Sequence, residues 1–520
     1  MSADLILCNA NVLTLDSNYP RARLIAIKNG KVLAVAKNEA LEEFKGPETA
    51  IIDCRGKTIL PGFNDAHCHL IALAKSMVSL DLSPSRVHSI LDIQKEVARS
   101  ARDLPPGSWI NGEGYNEFYL AEKRHPKRWD LDKATSLHPV KLTHRSGHAH
   151  VLNSLALALV GISKETAEPP GGIIERDCES GEPNGLLYDM GGMLAKKVPP
   201  LADSELNRAI KLAGEKLLSL GITSVGDASL NTMSQWNLFQ RWKSQGSLRC
   251  RLSLMLGEEG FQQSSPELVS GSGMTSGSEM RLGAVKIVLQ ETTGRLCPSW
   301  QELEQMVLKI HQSDPELVSG QVAIHAVEEN TIEAACSVME RTLKRFPRAG
   351  HRHRIEHCSV CRPEMAKKLA SLGVVVVTQP AFIYYSGERY LNTVAQEQLE
   401  RLYPIGTLIK AGVKVAAGSD CPVVPPNPLV GIYAAVSRKA ETGETILPEE
   451  SISPLEALRM YTEGAAYASF EEGTKGNIIP GKLADLVILS GDPTEVPVEK
   501  MKDLEVEMTI IGGEVVYRKC

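Results

Sequence analysis

Short apolar runs separated by turn residues open the chain. Residues 5–7, 11–15, 24–28 and 31–35 read as strands, and Asn29-Gly30 between the last two is a strong hairpin signal, since both central positions of such a turn need positive φ. The far end repeats the pattern: residues 484–489, then 508–511 and 514–517 flanking Gly512-Gly513. Neither set can bury a face alone, so residues 1–57 and 475–520 are predicted to pack together as one small β domain.

Between the ends the period alternates. Eight apolar segments are the one ending at His67 and residues 223–227, 251–255, 284–289, 322–325, 354–357, 374–378 and 413–420; helical stretches such as 300–311, 330–345 and 363–372 intervene. Eight β-then-α units predict an α/β architecture, a closed (β/α)8 barrel across residues 58–474. The span from about 80 to 205 is too long for one crossover and holds strand-like residues 140–144 and a Gly-rich, hairpin-like part, 171–188, so it is expected to be an insertion covering the barrel mouth. Residues 264–277, rich in Ser and Gly, are predicted to form a flexible loop.

Chemistry concentrates where this pattern places strand ends. Ile59-Leu60 meets the break Pro61-Gly62 and then a polar tip ending in His67 and His69, whose side chains point the same way in extended backbone, with Cys68 facing away. His325 closes the fifth strand, His357 the sixth and Asp420 the eighth, while Lys286 lies within the fourth. A parallel barrel gathers all its strand ends around one mouth, and nitrogen with carboxylate ligands suits Zn²⁺ or a similar ion. Lys286 is useful there only if its charge is removed or inverted, for example by carboxylation; the alternative is that it snorkels or pairs with Glu291. Asp420 is expected to serve as metal ligand and as proton carrier for an activated water. His311, His351 and His353 are expected at the surface or in loops, and Cys358 and Cys361 on a helix by ordinary packing rather than in a zinc knuckle.

Composition narrows the field. At 520 residues, 43% hydrophobic and 23% charged, the chain can form a large domain with a smaller one beside it. A net charge of -6 argues against binding to nucleic acid by phosphate neutralisation. The basic run 123–128 is followed at once by Trp129-Asp130-Leu131-Asp132 and reads as a solvated turn. No apolar run approaches a membrane span, and 11 scattered cysteines behind an amino terminus without a basic, then apolar, leader predict a cytoplasmic location with reduced thiols.

These motifs resemble those of the metal-dependent amidohydrolase superfamily, in particular its YtcJ-like (amidohydrolase type 3) branch, which includes N-substituted formamide deformylase. The resemblance rests on residues 61–69, 322–328, 354–357 and 418–423, on Arg145-Ser146-Gly147-His148, on residues 128–132, and on the tail 476–485. It implies a distorted, TIM-like (β/α)8 barrel, a β-sandwich from both termini, and hydrolysis of a carbon-nitrogen bond other than a peptide bond, in an amide or an N-formyl or N-acyl amine. His67, His69, His325, His357 and Asp420 fall on the family's metal-ligand positions, for one or two divalent ions with zinc favoured. Lys286 falls on the carboxylated-lysine position, and His148 on one that faces the substrate and polarises its carbonyl. The branch usually follows that lysine with Asp-Gly, whereas residues 288–294 here read Val-Leu-Gln-Glu-Thr-Thr-Gly, which bears on the substrate. Deamination, cyclic-imide or lactone ring opening on the same site, and a non-catalytic binding protein are the alternatives. The expected partner is a small-molecule substrate, with neither nucleic acid nor membrane, and a homodimer is compatible with the sequence. Trp109, Tyr115, Phe118, Tyr119, Phe382, Tyr384 and Tyr385 suit either an apolar substrate group or packing of the cover.

Overall fold

Eight parallel strands ring the centre of the protein: β1 (Phe63–Cys68), β2 (Ile222–Asn231), β3 (Arg251–Leu256), β4 (Met280–Val288), β5 (Val322–Ala326), β6 (Arg354–His357), β7 (Val375–Thr378) and β8 (Lys414–Ala417). Each pairs with the next in sequence, so the expected (β/α)8 barrel is present. This computed structural model describes residues 2–264, 279–313 and 320–519; the predicted loop at 264–277 lies outside the described residues from 265 onward. The strands are buried on nearly every residue, as strands between a filled interior and a ring of helices must be. Outside them pack Trp236, Phe239 and Trp242 of the helix Met233–Ser244 and Ile210 and Leu217 of Asp203–Ser219.

The seam between β8 and β1 closes just beyond the strand ends. The Asp420 N–H donates to the His67 carbonyl at 2.7 Å, and the His69 N–H to that of Cys421 at 2.9 Å. Gly418 permits this approach, because a Cβ there would lie 2.6 Å from the His67 nitrogen. Asp65 adds a brace, accepting from the Ser419 hydroxyl at 2.5 Å and its N–H at 2.9 Å. The barrel is therefore sewn shut where its first and last chemistry-bearing residues meet.

The stretch leading to the histidine pair is divided rather than continuous. Thr58–Pro61 pairs antiparallel with Leu486–Leu489, in a six-stranded sheet that also holds Asn11–Leu13, Arg21–Ala22, Val506–Ile511 and Glu514–Arg518. At Gly62, where a side chain would collide with Thr223, the chain leaves that sheet and enters the barrel. A four-stranded sheet of Leu5–Cys8, Leu24–Lys28, Lys31–Ala36 and Ala50–Asp53 faces the six-stranded one, and Leu7, Ile25, Ile59, Ile488 and Ile510 fill the space between.

A third sheet is built from the residues between β1 and β2. Its order is Ile173–Arg176, Pro183–Tyr188, Ala149–Leu152, Val140–His144, Ile110–Tyr115 and Leu80–Asp81. It has its own core, with Ile90, Ile93 and Val97 of the helix Ile90–Asp103 against Val140 and Leu142. Ser89 caps that helix by accepting from the Asp92 N–H. Among the described residues no helix is long and apolar enough to cross a membrane.

Two expectations are corrected. Cys358 and Cys361 lie in a buried turn between β6 and the helix Pro363–Leu372, not on that helix; Arg362 and Pro363 start it later. His351 and His353 lie in the loop before β6, as expected, but they and His311, the last residue of the helix Trp300–His311, are buried at the opposite end of the barrel from the mouth rather than at the surface, because their ring nitrogens find partners there. Val322 N–H donates to His353 Nδ1 at 3.2 Å, so His353 Nε2–H must donate to His311 Nδ1 (2.9 Å), and His311 Nε2–H to the Phe346 carbonyl (2.9 Å). His351 accepts from the His353 N–H and donates to the Leu372 carbonyl.

Candidate active site

The side chains that the strand pattern placed at one rim meet there. His67 leaves the end of β1 fully buried, and its ring centroid lies 5.4 Å from that of His69 and 4.9 Å from that of His357. His357 and His325 are 4.4 Å apart by the same measure. Asp420 Oδ1 stands 3.0 Å from His69 Nε2 and 3.4 Å from His67 Nε2, and the donor atoms of these three residues all lie within 4.8 Å of one another, close enough to hold one ion. Lys286 is buried in β4 with Nζ 3.5 Å from His67 Nε2. It does not pair with Glu291, whose carboxylate accepts instead from Asn330, so the snorkelling alternative is set aside.

The ring nitrogens sort by use. A carboxylate can only accept, so His67 presents Nδ1–H to Glu356 Oε2 (2.5 Å), which frees its Nε2 lone pair. His357 likewise gives Nδ1–H to the Gln379 amide oxygen (2.8 Å), and His69 Nδ1 is held by the Ser229 hydroxyl at 3.0 Å. Ligand histidines typically have the second nitrogen fixed in this way. Burial holds the pKa of His67, His325 and His357 below the ordinary imidazole value, so their rings are neutral and able to donate lone pairs. Burial also lowers the pKa of Lys286, against the pull of Glu356 and Asp420. For Asp420 burial works upward, but the hydrogen bond from His69 and the facing imidazoles outweigh it and keep the carboxyl ionised.

Strand alternation alone does not explain this convergence. It would turn Glu356 and His357 to opposite faces, yet His357 has φ 73 and Asp420 φ 57, left-handed conformations that bring both back into the site.

The cover contributes His148, at the tip between Val140–His144 and Ala149–Leu152, with its ring centroid 5.9 Å from that of His325. His148 Nδ1–H donates to Asp189 Oδ1 at 2.6 Å, and Asp189 N–H returns a bond to the His148 carbonyl. Thr292, in the loop after β4 that departs from the family pattern, donates to the other Asp189 oxygen at 2.7 Å. The bond to Asp189 raises the His148 pKa despite desolvation. His150 lies two residues on, buried with neither ring nitrogen hydrogen-bonded among the described residues, and burial lowers its pKa to about 3.

Comparison with known proteins agrees with this geometry. A sequence model of the Amidohydrolase family matches residues 50–517. The chain belongs to the amidohydrolase family. As an amidohydrolase it is a hydrolytic enzyme acting on carbon-nitrogen bonds. It is 29% identical to the N-substituted formamide deformylase of Arthrobacter pascens, over 99% of this chain and 98% of that one. It is also 29% identical to the putative amidohydrolase YtcJ of Bacillus subtilis (strain 168), over 98% of each. A crystal structure of an uncharacterized metal-dependent hydrolase from Pyrococcus furiosus superposes with a TM-score of 0.69 at 26% identity, covering 94% of this chain and all of that one.

Sequence reasoning overlooked the amidohydrolase's bracing residues. Glu356 is held by Arg354 through two bonds, at 2.7 and 3.0 Å, besides its bond to His67. The Arg-x-Glu spacing, two residues on one strand face, was the available signal. Nothing local marks Asp189, Ser229 or Gln379, whose partners lie 41, 160 and 22 residues away.

Proposed function

We propose that this amidohydrolase cleaves an amide or an N-formyl or N-acyl amine with the help of one or two divalent ions, zinc being the best match to the donor set. The observation that carries the reading is the convergence of the His67 and His69 Nε2 edges on a buried carboxylate, with His67, His69 and His357 each fixed through Nδ1. His67, His69 and Asp420 would hold one ion; His325, His357 and Lys286 would extend the site, Lys286 by carboxylation of an amine whose pKa burial depresses. The Pyrococcus furiosus structure, described as a metal-dependent hydrolase, supports the metal, and the formamide deformylase supports the substrate class.

A bound divalent ion supplies Lewis acidity, lowering the pKa of water to near neutrality. Asp420, ionised and facing His67 and His69, takes the proton of the attacking water and returns it to the leaving amine. His148, made more basic by Asp189, donates a hydrogen bond to the carbonyl oxygen as charge develops there. Water adds to the carbonyl carbon, the C–N bond breaks, and a carboxylic acid and an amine leave.

Elemental analysis of the purified protein, combined with a screen of N-formyl and N-acyl amines, tests this reading. Metal in at least equimolar amount, and turnover that Asp420→Asn lowers by about 10³-fold without loss of secondary structure, are expected. A folded, metal-free protein, or undiminished turnover by the Asn variant, would overturn it.

A further inference from the structure

The hairpin tip that carries His148 also carries Arg145, and the guanidinium of Arg145 is incompletely used. Its Nε donates to the Val423 carbonyl at 2.7 Å and its Nη1 to the Tyr385 carbonyl at 3.3 Å, with the Tyr385 ring 5.6 Å away. Val423 is tied in turn to Asp420, whose carbonyl accepts from the Val423 N–H at 3.0 Å. Arg145 thus stands beside the turn that follows Asp420, while His148, on the same tip, stands beside His325.

No aspartate or glutamate among the described residues forms an ion pair with this guanidinium. Two buried arginines satisfy their charge with acids: Arg354 with Glu356, and Arg251 with Asp485. Arg438 is the informative contrast. It too lacks an ion pair among the described residues, but its Nε, Nη1 and Nη2 bond to the carbonyls of Ile446, Tyr403 and Leu402, which engages all three nitrogens as a purely structural role requires. Arg145 Nη2 has no hydrogen bond among the described residues, and the residue is partly exposed. A partly exposed guanidinium without a counter-charge can take an anionic ligand, and its planar fork fits a carboxylate.

We propose that Arg145 anchors a carboxylate of the substrate, so that the preferred substrates are amides or N-formyl amines that also carry an anionic carboxylate. This rests on the hydrolytic reading above and narrows it. The cover then selects the substrate by charge, while the barrel rim performs the bond cleavage.

A matched pair tests the anchor: N-formyl-phenylalanine against N-formyl-phenethylamine, which lacks only the carboxylate. The wild-type enzyme should prefer the first by about 10- to 100-fold in kcat/KM, the value of one charge-assisted pair. Arg145→Met should reduce that ratio to near one, chiefly through KM, and Arg145→Lys should leave it in between. No preference in the wild type, or a preference that survives in Arg145→Met, overturns the proposal. Should Arg145→Met fail to fold, the wild-type ratio and the Lys variant still decide. Calorimetric binding of 3-phenylpropionate separates the two readings. Binding that depends on Arg145, in an enzyme that hydrolyses neither amide, would retain the anchor and sink the amide reading; hydrolysis of both amides at equal rates would do the reverse.

Discussion

Two groups of histidines sit at opposite ends of this barrel, and they differ in what their nitrogens do. At the mouth, His67, His69 and His357 each commit Nδ1 to a neighbour, and the Nε2 atoms of His67 and His69 face the Asp420 carboxylate. At the far end, every nitrogen of His311, His351 and His353 is engaged by a backbone group or another ring. Burial holds down the pKa of His67 and His357 in the first group and of all three rings in the second. Residue type and burial therefore do not separate a candidate metal site from a structural knot. What the second nitrogen faces does: a carboxylate at the mouth, a backbone carbonyl or another ring at the far end.

The largest effect that would sharpen this contrast is on turnover. His357→Ala should abolish activity, by about 10³-fold or more, whereas His353→Ala should leave kcat/KM within a few-fold; steady-state kinetics on one substrate compares the two, and similar losses would erase the distinction. Next comes metal retention. Glu356→Gln keeps the shape but weakens the hold on His67 Nδ1–H, so affinity for the ion should fall by about 10- to 100-fold in a competition with chelator, while His351→Ala should not change it.

Stability should move the other way. His353→Ala strands the Val322 N–H and the acceptor nitrogen of His311, and should cost about 1–3 kcal/mol for each group left unpaired, read from the denaturant midpoint. The smallest effect is on pH dependence. Below about 6.5 the unfolded imidazoles take up protons that the buried ones refuse, so the unfolded state gains and stability falls as pH drops through that value. Each such histidine adds at most about 1.4 kcal/mol per pH unit to this acid limb, so His353→Ala, though less stable at pH 8, should lose less on acidification. An equally steep limb in the variant would place the sensitivity elsewhere.

The contrast also marks what could be read beforehand. The pattern of apolar segments placed all eight barrel strands, and three helices within a residue or so of their observed limits, because a strand buried on both faces and a helix with one buried stripe leave distinct periods. It also brought His67, His69, His325, His357, Asp420 and Lys286 to one rim, since parallel strands in a closed ring share an end. It placed His351 and His353 in a loop, as found, but missed that they and His311 are buried: a histidine carries no local sign that a carbonyl from another segment will receive its N–H. The break at Pro61-Gly62 was visible, but not that the residues before it belong to a different sheet from those after it.

The order and type of elements, and hence which chemical groups arrive at the rim, were determined by the sequence alone, because hydrophobic periodicity is a property of neighbouring residues. The tertiary structure decided which nitrogens remain available, how Glu356, Asp189 and Gln379 aim them, and where Arg145 leaves a charge unanswered. Those depend on contacts between residues tens to hundreds of positions apart, and a hydrogen bond acts over about 3 Å of space regardless of the chain between its ends.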